Sequence, residues 1–193
     1  MIEDHRGCLI HLNKDFVFEA ESKIEFEELS EDGAGIAKFS TALPTIIIKS
    51  KKKAPLVWAL RVLKCADGAF VTFRQGQIDL HIVELKSGLD ARTWETVLSQ
   101  YEGMYLSAIA ALRLLQITKV DNVICYLAYK RFRSPVQEET NPVLLKGLVG
   151  VKGSASYLEA MIGKAVALPF DVTARLVKGQ RDPAGDIDFG AIA

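Results

Sequence analysis

The stretch Ile82-Val83-Glu84-Leu85-Lys86-Ser87-Gly88 places an acid and a lysine two residues apart at the end of an apolar run. A second apolar run begins with Asp67-Gly68-Ala69-Phe70-Val71, and the polar residues Arg74-Gln75-Gly76-Gln77 lie between the two runs. Two β-like runs joined by a short polar segment that contains glycine predict a β-hairpin. The turn of that hairpin determines which side chains of the two strands lie next to each other.

The predicted register of the hairpin brings two acids together. With Gln75-Gly76 as a two-residue turn, Asp67 lies opposite Glu84, and opposed residues point to the same face of a sheet. Because side chains alternate along a strand, Lys86 lies on that face too, while Asp79 lies on the other face and is excluded from the site. A three-residue turn would shift the pairing by one residue and send Asp67 to the other face.

Two neighbouring carboxylates on an otherwise apolar face predict a cation site. Such carboxylates repel each other unless a proton or a cation lies between them. Mg²⁺ is a hard cation that prefers oxygen ligands, so Asp67 and Glu84 are candidate ligands for Mg²⁺ or Mn²⁺. The alternative interpretation is structural, because charged residues also collect where a strand emerges into solvent.

Asp67, Glu84-x-Lys86 and the helix predicted after them resemble the motif of the PD-(D/E)xK nuclease superfamily, over residues 56–129. That superfamily includes restriction endonucleases, Holliday-junction resolvases and recombination-repair exonuclease domains. Its common core is a helix, three antiparallel-connected strands, a second helix and a fourth strand. The resemblance maps the two acids of the motif onto Asp67 and Glu84 and its lysine onto Lys86. Ala66 stands where the proline that names the family would be, which is a frequent departure.

The resemblance implies an α/β fold in which a mixed central β-sheet is flanked by helices, with a restriction-endonuclease-like core. It implies a Mg²⁺-dependent deoxyribonuclease that hydrolyses the phosphodiester bonds of DNA. On this interpretation Asp67, Glu84 and the backbone carbonyl of Leu85 bind the metal. Lys86 positions the attacking water and offsets negative charge. A homodimer is the arrangement that family analogy suggests for cutting both strands of a duplex.

Two further features of the family concern other residues. Some members carry a glutamine and a tyrosine on the helix after the lysine strand, where they orient the site or bind DNA, and Gln100 is the candidate here. Tyr101 beside it is expected in the core. Members often add an acid from their first helix. The candidates for this acid are Glu25, Glu27 and Glu28, which lie where the sequence predicts strands. The alternative for each of them is a position on a solvated face, with no role in a metal site.

The rest of the chain alternates strand-like and helix-like segments, which predicts an α/β sandwich. Residues 91–115 keep helical spacing of apolar side chains, and Asp90 is a good N-cap. Because a strand, a helix and a strand in succession make a crossover, Val123–Tyr129 is expected to pair parallel to another strand. The other predicted elements are strands at Leu9–Leu12, Phe16–Glu21, Thr45–Lys49 and Leu56–Leu63, a strand or helix start at Ile24–Leu29, a helix at Ser154–Ile162, and an extended stretch at Lys164–Val177 with a break at Pro169.

Charge is balanced over the chain but unevenly distributed. The 24 basic and 24 acidic residues give a net charge of zero, which excludes a simple DNA-coating protein. Two basic runs, at 49–53 and 130–133, are candidates to contact phosphates. Trp58 and Trp94 are expected in the core, although an exposed tryptophan could stack on a base. The predicted nucleic-acid-binding residues are Lys51, Lys52, Lys53, Lys130, Arg131 and Arg133.

The composition predicts a globular protein with its own core, since 49% of its residues are hydrophobic. We find no run of about 18 apolar residues and no signal-peptide pattern, so no membrane partner is expected. The three cysteines are scattered, which suits a reducing compartment, and a cytoplasmic location is expected. Three regions are predicted: a β-rich N-terminal extension packed on the core (1–53), a nuclease-like core (54–178) and a flexible tail (179–193).

Two other functions are compatible with these residues. One is a catalytically inactive protein of the same fold that binds nucleic acid, which the neutral net charge favours. The other is a protein that binds a protein partner through the segment 15–32, which holds eight acids and one lysine. Titration with Mg²⁺ or Mn²⁺ separates the nuclease from the inactive module.

Overall fold

The computed structural model describes residues 3–29, 33–51, 54–132 and 165–192. These residues form a mixed α/β fold with a large mixed sheet, which confirms the predicted class at that level. The elements are α1 (Glu3–Leu9), β1 (Val17–Ala20), β2 (Lys23–Glu28), β3 (Gly35–Thr41), β4 (Thr45–Lys49), β5 (Gly68–Arg74), β6 (Gln77–Leu89), α2 (Ala91–Leu114), β7 (Asn122–Phe132), β8 (Ala165–Leu168), β9 (Val172–Gln180) and β10 (Ile187–Ile192).

A seven-stranded sheet with the order β1-β4-β5-β6-β7-β9-β8 forms the centre of the fold. The consecutive strands β4, β5 and β6 are antiparallel neighbours. Helix α2 then crosses over the sheet, so β7 pairs parallel to β6, as the sequence predicts, and β9 pairs parallel to β7. β4 belongs to the predicted N-terminal extension, yet it pairs directly with β5 of the predicted core.

Helix α2 covers one face of this sheet. The carboxylate of its N-cap, Asp90, accepts a hydrogen bond from Thr93 N at 2.7 Å, and such a cap contributes about 1 kcal/mol. Buried side chains recur along α2 at helical spacing, among them Trp94, Tyr101 and Met104. Burying one large apolar side chain stabilises the fold by about 1.5–3 kcal/mol. The buried residues of β5 and β6 in the same core are Ala69, Val71, Phe73, Leu80, Ile82 and Leu89.

A three-stranded sheet, in the order β10-β3-β2, covers the opposite face. Alternating burial along β2 turns Ile24 and Phe26 toward the large sheet. They pack there in one core with Phe70 and Leu85. The resemblance led us to expect helices on both faces, but strands cover this one. The reason is the period-two alternation of apolar residues in β2, which suits a half-buried strand rather than a helix.

The C-terminal part of the described chain forms strands. β10 pairs in parallel with β3, with Ile187 opposite Ala37 and Ile192 opposite Thr41. The expectation of a flexible tail at 179–193 is therefore wrong for β10. Strand pairing, together with the packing of Ile187 against the core between the two sheets, holds these residues in place.

Several other element predictions differ from the structure. Leu9–Leu12 contains the end of α1 and the turn after it, and the sequence pattern does not anticipate β3. Leu56–Leu63 is irregular rather than a strand. Trp58, expected in the core, is 90% exposed, whereas Trp94 is 1% exposed as predicted. The predicted helix Ser154–Ile162 lies outside the described residues. Of the helices that the structure describes, none is long and apolar enough to cross a membrane.

His81 is buried between the two sheets. Its ring stacks on that of Phe70 with 4.3 Å between the centroids. Its nitrogens lie 3.1 Å from Thr72 Oγ1 and 3.3 Å from Tyr126 Oη. Burial lowers the pKa of His81 from 6.5 to about 4, so the ring is neutral at neutral pH.

Acidification from about pH 7.5 to about pH 5 is expected to lower the free energy of unfolding by about 2 kcal/mol through His81. The unfolded chain takes up a proton at this histidine near pH 6.5, whereas the folded chain does so only near pH 4. Stability is therefore lost as the pH falls through that window. Urea unfolding at the two pH values measures the difference. The variant His81→Gln should lose most of this pH dependence, and an unchanged dependence in that variant would contradict the assignment.

Candidate active site

The β5–β6 hairpin has the register that the sequence predicts. Its turn contains Gly76 with a φ of 73°, a conformation that favours glycine. From the turn, the pairing runs without a shift to Gly68 opposite Val83. Asp67 and Glu84 follow directly beyond this last pair. The two-residue turn is thus confirmed, and the one-residue shift that a longer turn would cause does not occur.

The side chain of Asp67 is bound to the neighbouring strand. Its Oδ2 accepts a hydrogen bond from Leu85 N at 2.7 Å, which holds the carboxylate against the strand that carries Glu84. Gly68, the next residue, has no room for a side chain. A Cβ at Gly68 would lie 2.1 Å from Phe26 Cε1, so the small sheet packs directly against the backbone beside Asp67.

Glu84 carries a fully buried carboxylate. Its side chain is 0% exposed, and Lys86 Nζ contacts its Oε1. Burying a carboxylate without a counter-charge is costly, and the lysine supplies that charge. Glu84 and Lys86 alternate with Leu80 and Ile82 along β6 and therefore face α2. The lysine keeps 15% of its side chain exposed, so this ion pair borders on solvent.

Tyr101 of α2 lies close to both acids. Its side chain is 0% exposed, as predicted for a core residue, and its hydroxyl donates to Tyr126 O at 3.0 Å. Burial raises the pKa of Tyr101 well above its usual value. Interactions with Cys125, Glu84 and Asp67 raise the pKa further. Both carboxylates are therefore close enough to the Tyr101 hydroxyl to affect its pKa.

Gln100 reaches the segment that leads into Asp67. Its Nε2 donates to Cys65 O at 3.3 Å, and its backbone carbonyl accepts from Ala66 N at 3.1 Å. The residue is 5% exposed, and its Oε1 is buried without a hydrogen-bond partner among the described residues. Buried polar atoms nearly always have partners, so this amide oxygen is a candidate ligand for a group bound at the site.

Arg181 is a buried cation near the site that sequence reasoning missed. It is 4% exposed, and its guanidinium donates to Gly185 O and, at 2.7 Å, to Gly33 O. Burial lowers the pKa of Arg181, and the negative charges of Glu28 and Asp67 oppose that shift. Arg181 follows β9 in a stretch expected to be loose, and no periodic pattern marks it in the sequence.

Glu28 is the buried one of the three acids proposed before residue 56. It is 7% exposed, whereas Glu25 and Glu27 face solvent. Its charge acts on Arg181, as does that of Asp67, so Glu28 and Asp67 share one buried cation as a neighbour. The alternation of apolar residues along β2 is the sequence signal that distinguishes Glu28 from the other two acids, because Glu28 shares its face with the apolar residues of that strand.

The donor set fits a hard cation. Asp67 and Glu84 supply carboxylate oxygens and Gln100 an amide oxygen, which are ligand types that Mg²⁺ accepts. Among the residues described, no group of three or more His, Cys, Asp or Glu forms a metal cluster. Two carboxylates are enough for Mg²⁺, which keeps several of its waters. No protein-family model, curated protein or solved structure matches this chain.

Some of the basic residues proposed for phosphate contact lie near these acids. Lys51 is exposed, Lys130 is half-buried and Arg131 is exposed at the end of β7. Arg131 and Lys86 line one open cavity of about 470 Å³, next to the buried ion pair. The proposed residues outside the described ranges are Lys52, Lys53 and Arg133.

A larger cavity of about 730 Å³ lies at the turn end of the hairpin, and Asp79 contributes to its lining. Asp79 is 6% exposed and accepts hydrogen bonds from Gln77 Nε2 and Asn122 Nδ2. It precedes Glu84 by five residues on β6, which is about 17 Å along a strand. The exclusion of Asp79 from the site therefore agrees with its place in the structure, and this cavity is separate from the acids.

Proposed function

We propose that this protein is a metal-dependent nuclease that hydrolyses the phosphodiester bonds of DNA. The observation that carries the proposal is the hairpin register. Asp67 and Glu84 follow directly beyond its last pair, where Leu85 N holds the carboxylate of Asp67 and the ammonium group of Lys86 contacts the buried carboxylate of Glu84. This constellation is the one that the resemblance to PD-(D/E)xK nucleases implies.

The order of the elements supports a restriction-endonuclease-like core. β4, β5 and β6 are three consecutive antiparallel strands, α2 follows them, and β7 then adds to the same sheet. The expected core has the same order after its first helix. The departure lies at that helix: α1 is separated from β4 by β1, β2 and β3, and it is only seven residues long.

Asp67, Glu84 and the backbone carbonyl of Leu85 are the groups that would hold Mg²⁺ or Mn²⁺. The amide oxygen of Gln100 is a further candidate, because the amide nitrogen of the same side chain binds Cys65 O, two residues before Asp67. When bound, the metal would supply Lewis-acid polarisation of the scissile phosphate and lower the pKa of an attacking water. These residues would hold the metal in position, because Asp67 is fixed by Leu85 N and the buried Glu84 lies on the face of β6 that α2 covers.

Lys86 acts as electrostatic support in this proposal. Its ammonium group lies between the buried carboxylate of Glu84 and the open cavity that it lines with Arg131. A phosphate that enters the cavity meets two cations before it reaches the acids. Fixed positive charge of this kind favours the additional negative charge that develops on the phosphate in the transition state.

Cleavage assays with and without Mg²⁺ or Mn²⁺ test this function. We expect metal-dependent cleavage of at least one of four substrates: plasmid, linear duplex, single-stranded and branched DNA. Asp67→Asn should abolish it, because an amide cannot replace the charge of the ligand. Asp15→Asn is the matched control, since Asp15 is an exposed acid outside the site. Binding of DNA without cleavage or Mg²⁺ binding would favour the catalytically inactive module instead.

A further inference from the structure

The segment 54–64 connects the lysine run to Asp67 and contains neither helix nor strand. It carries Arg61 and Lys64 and no acid, and the run 49–53 before it adds four lysines. The net charge of the whole chain is zero, so this stretch concentrates positive charge immediately before a candidate metal ligand.

Contacts with α2 hold the segment at both ends. Leu56 N donates to Ser107 Oγ at 3.3 Å, and Ala66 N donates to Gln100 O at 3.1 Å. Between these contacts the segment passes over Gly103, where a Cβ would lie 1.9 Å from a backbone oxygen of the segment. It therefore runs antiparallel to α2 for seven residues of helix, about 10 Å, and ends at the acids.

The middle of the segment exposes an aromatic side chain among cations. Trp58 is 90% exposed, and Arg61 and Lys64 are exposed as well. An indole is large and apolar and usually packs into the core, as the other tryptophan, Trp94, does at 1% exposure. An exposed indole beside guanidinium and ammonium groups has the chemistry that binds a single nucleic-acid strand, since bases stack on aromatic rings and phosphates attract cations.

We propose that the segment 54–64 is a binding site for single-stranded nucleic acid. Trp58 stacks on an unpaired base, and Arg61 and Lys64 bind neighbouring phosphates. The 10 Å path along α2 matches about three stacked nucleotides. Delivery of the strand to Asp67 rests on the proposed nuclease function, whereas the binding itself does not.

The choice of a single strand over other ligands follows from the same residues. In a duplex the bases are stacked on one another, so an indole cannot stack on them without unpairing. Tryptophan is also common at protein–protein interfaces. However, the segment and the lysine run before it carry six cations and no acid, which complements a polyanion.

Binding is measured in EDTA, so that cleavage plays no part, with a fluorescein-labelled oligothymidylate of about 12 nucleotides. Trp58→Ala is expected to weaken binding about tenfold. The double substitution of Arg61 and Lys64 by alanine should also reduce the dependence of affinity on salt. Oligothymidylate should quench the tryptophan emission of the native protein, because Trp58 is the exposed indole and Trp94 is buried.

Phe170→Ala is the matched control and should bind like the native protein. Phe170 is a 75% exposed aromatic residue just before β9, at the end of the large sheet away from the acids. The proposal would be overturned if the Trp58→Ala variant bound oligothymidylate as tightly as the native protein does. It would also be overturned if both proteins bound duplex DNA more tightly than the single strand. A third contrary result would be a Trp58→Ala variant that no longer self-associates but binds oligothymidylate with unchanged affinity. The segment would then be an interface between copies of the chain. Each of these outcomes leaves the cleavage test of Asp67 unaffected.

Discussion

Glu84→Gln is expected to reduce the rate of DNA cleavage by about a hundredfold or more. The substitution keeps the size and shape of the side chain and removes its charge. Glu84 is 0% exposed, and a neutral amide supplies no negative charge to hold the metal. Affinity for Mg²⁺, measured by calorimetry, should fall in the same variant. This second readout separates loss of the metal from loss of a later step.

The same substitution also leaves Lys86 without its partner, and breaking a buried ion pair costs about 3–5 kcal/mol. We therefore compare it with the double variant Glu84→Gln/Lys86→Met. The double variant should recover much of the stability in urea unfolding and none of the activity. Glu95→Gln makes the same chemical change at an exposed position of α2 and should affect neither property. Cleavage at the native rate by a folded Glu84→Gln protein would remove this carboxylate from the mechanism.

Arg181→Met is expected to lower the free energy of unfolding by about 3–5 kcal/mol. The guanidinium donates to the carbonyls of Gly33 and Gly185, which would both lose a buried partner. Its charge also opposes the negative charges of Glu28 and Asp67. Methionine fills part of the space but supplies neither the hydrogen bonds nor the charge. Urea unfolding monitored by circular dichroism measures the loss.

Two further variants establish the cause of that loss. Arg181→Lys keeps the charge but loses the planar fork of the guanidinium, so its stability should lie between those of Arg181→Met and the native protein. Arg113→Met removes an exposed arginine from α2 and should change stability by less than about 0.5 kcal/mol. An Arg181→Met variant as stable as the Arg113→Met variant would show that the buried contacts of Arg181 contribute little.

The local part of the candidate site was predictable from the sequence. Glycine at position 76 and the alternation of apolar side chains on both strands determine the hairpin register, and both lie within about twenty residues. The N-cap Asp90 and the helical spacing after it likewise predict α2 correctly. The parallel pairing of β7 follows from the crossover that α2 makes.

The parts contributed by distant segments were not predictable. β10 pairs with β3, and the hydrogen bond from Ile36 N to Asp186 Oδ1 spans 150 residues of sequence. No local periodicity reveals such a pairing, and Arg181 depends on it for its partners. The exposure of Trp58 was not predicted, and here the local sequence itself was misleading. The apolar neighbours of Trp58 predict a buried strand, whereas contacts with α2 keep the segment on the surface.

The pairing of β10 with β3 also affects when, during translation, the charged groups around Asp67 come together. A nascent chain of 180 residues already contains the hairpin with both acids. It lacks Arg181 and the strand that closes the small sheet. Asp67 therefore acquires its buried positive neighbour only after the segment that follows β9 has also been synthesised, so the hairpin alone cannot complete the proposed nuclease centre.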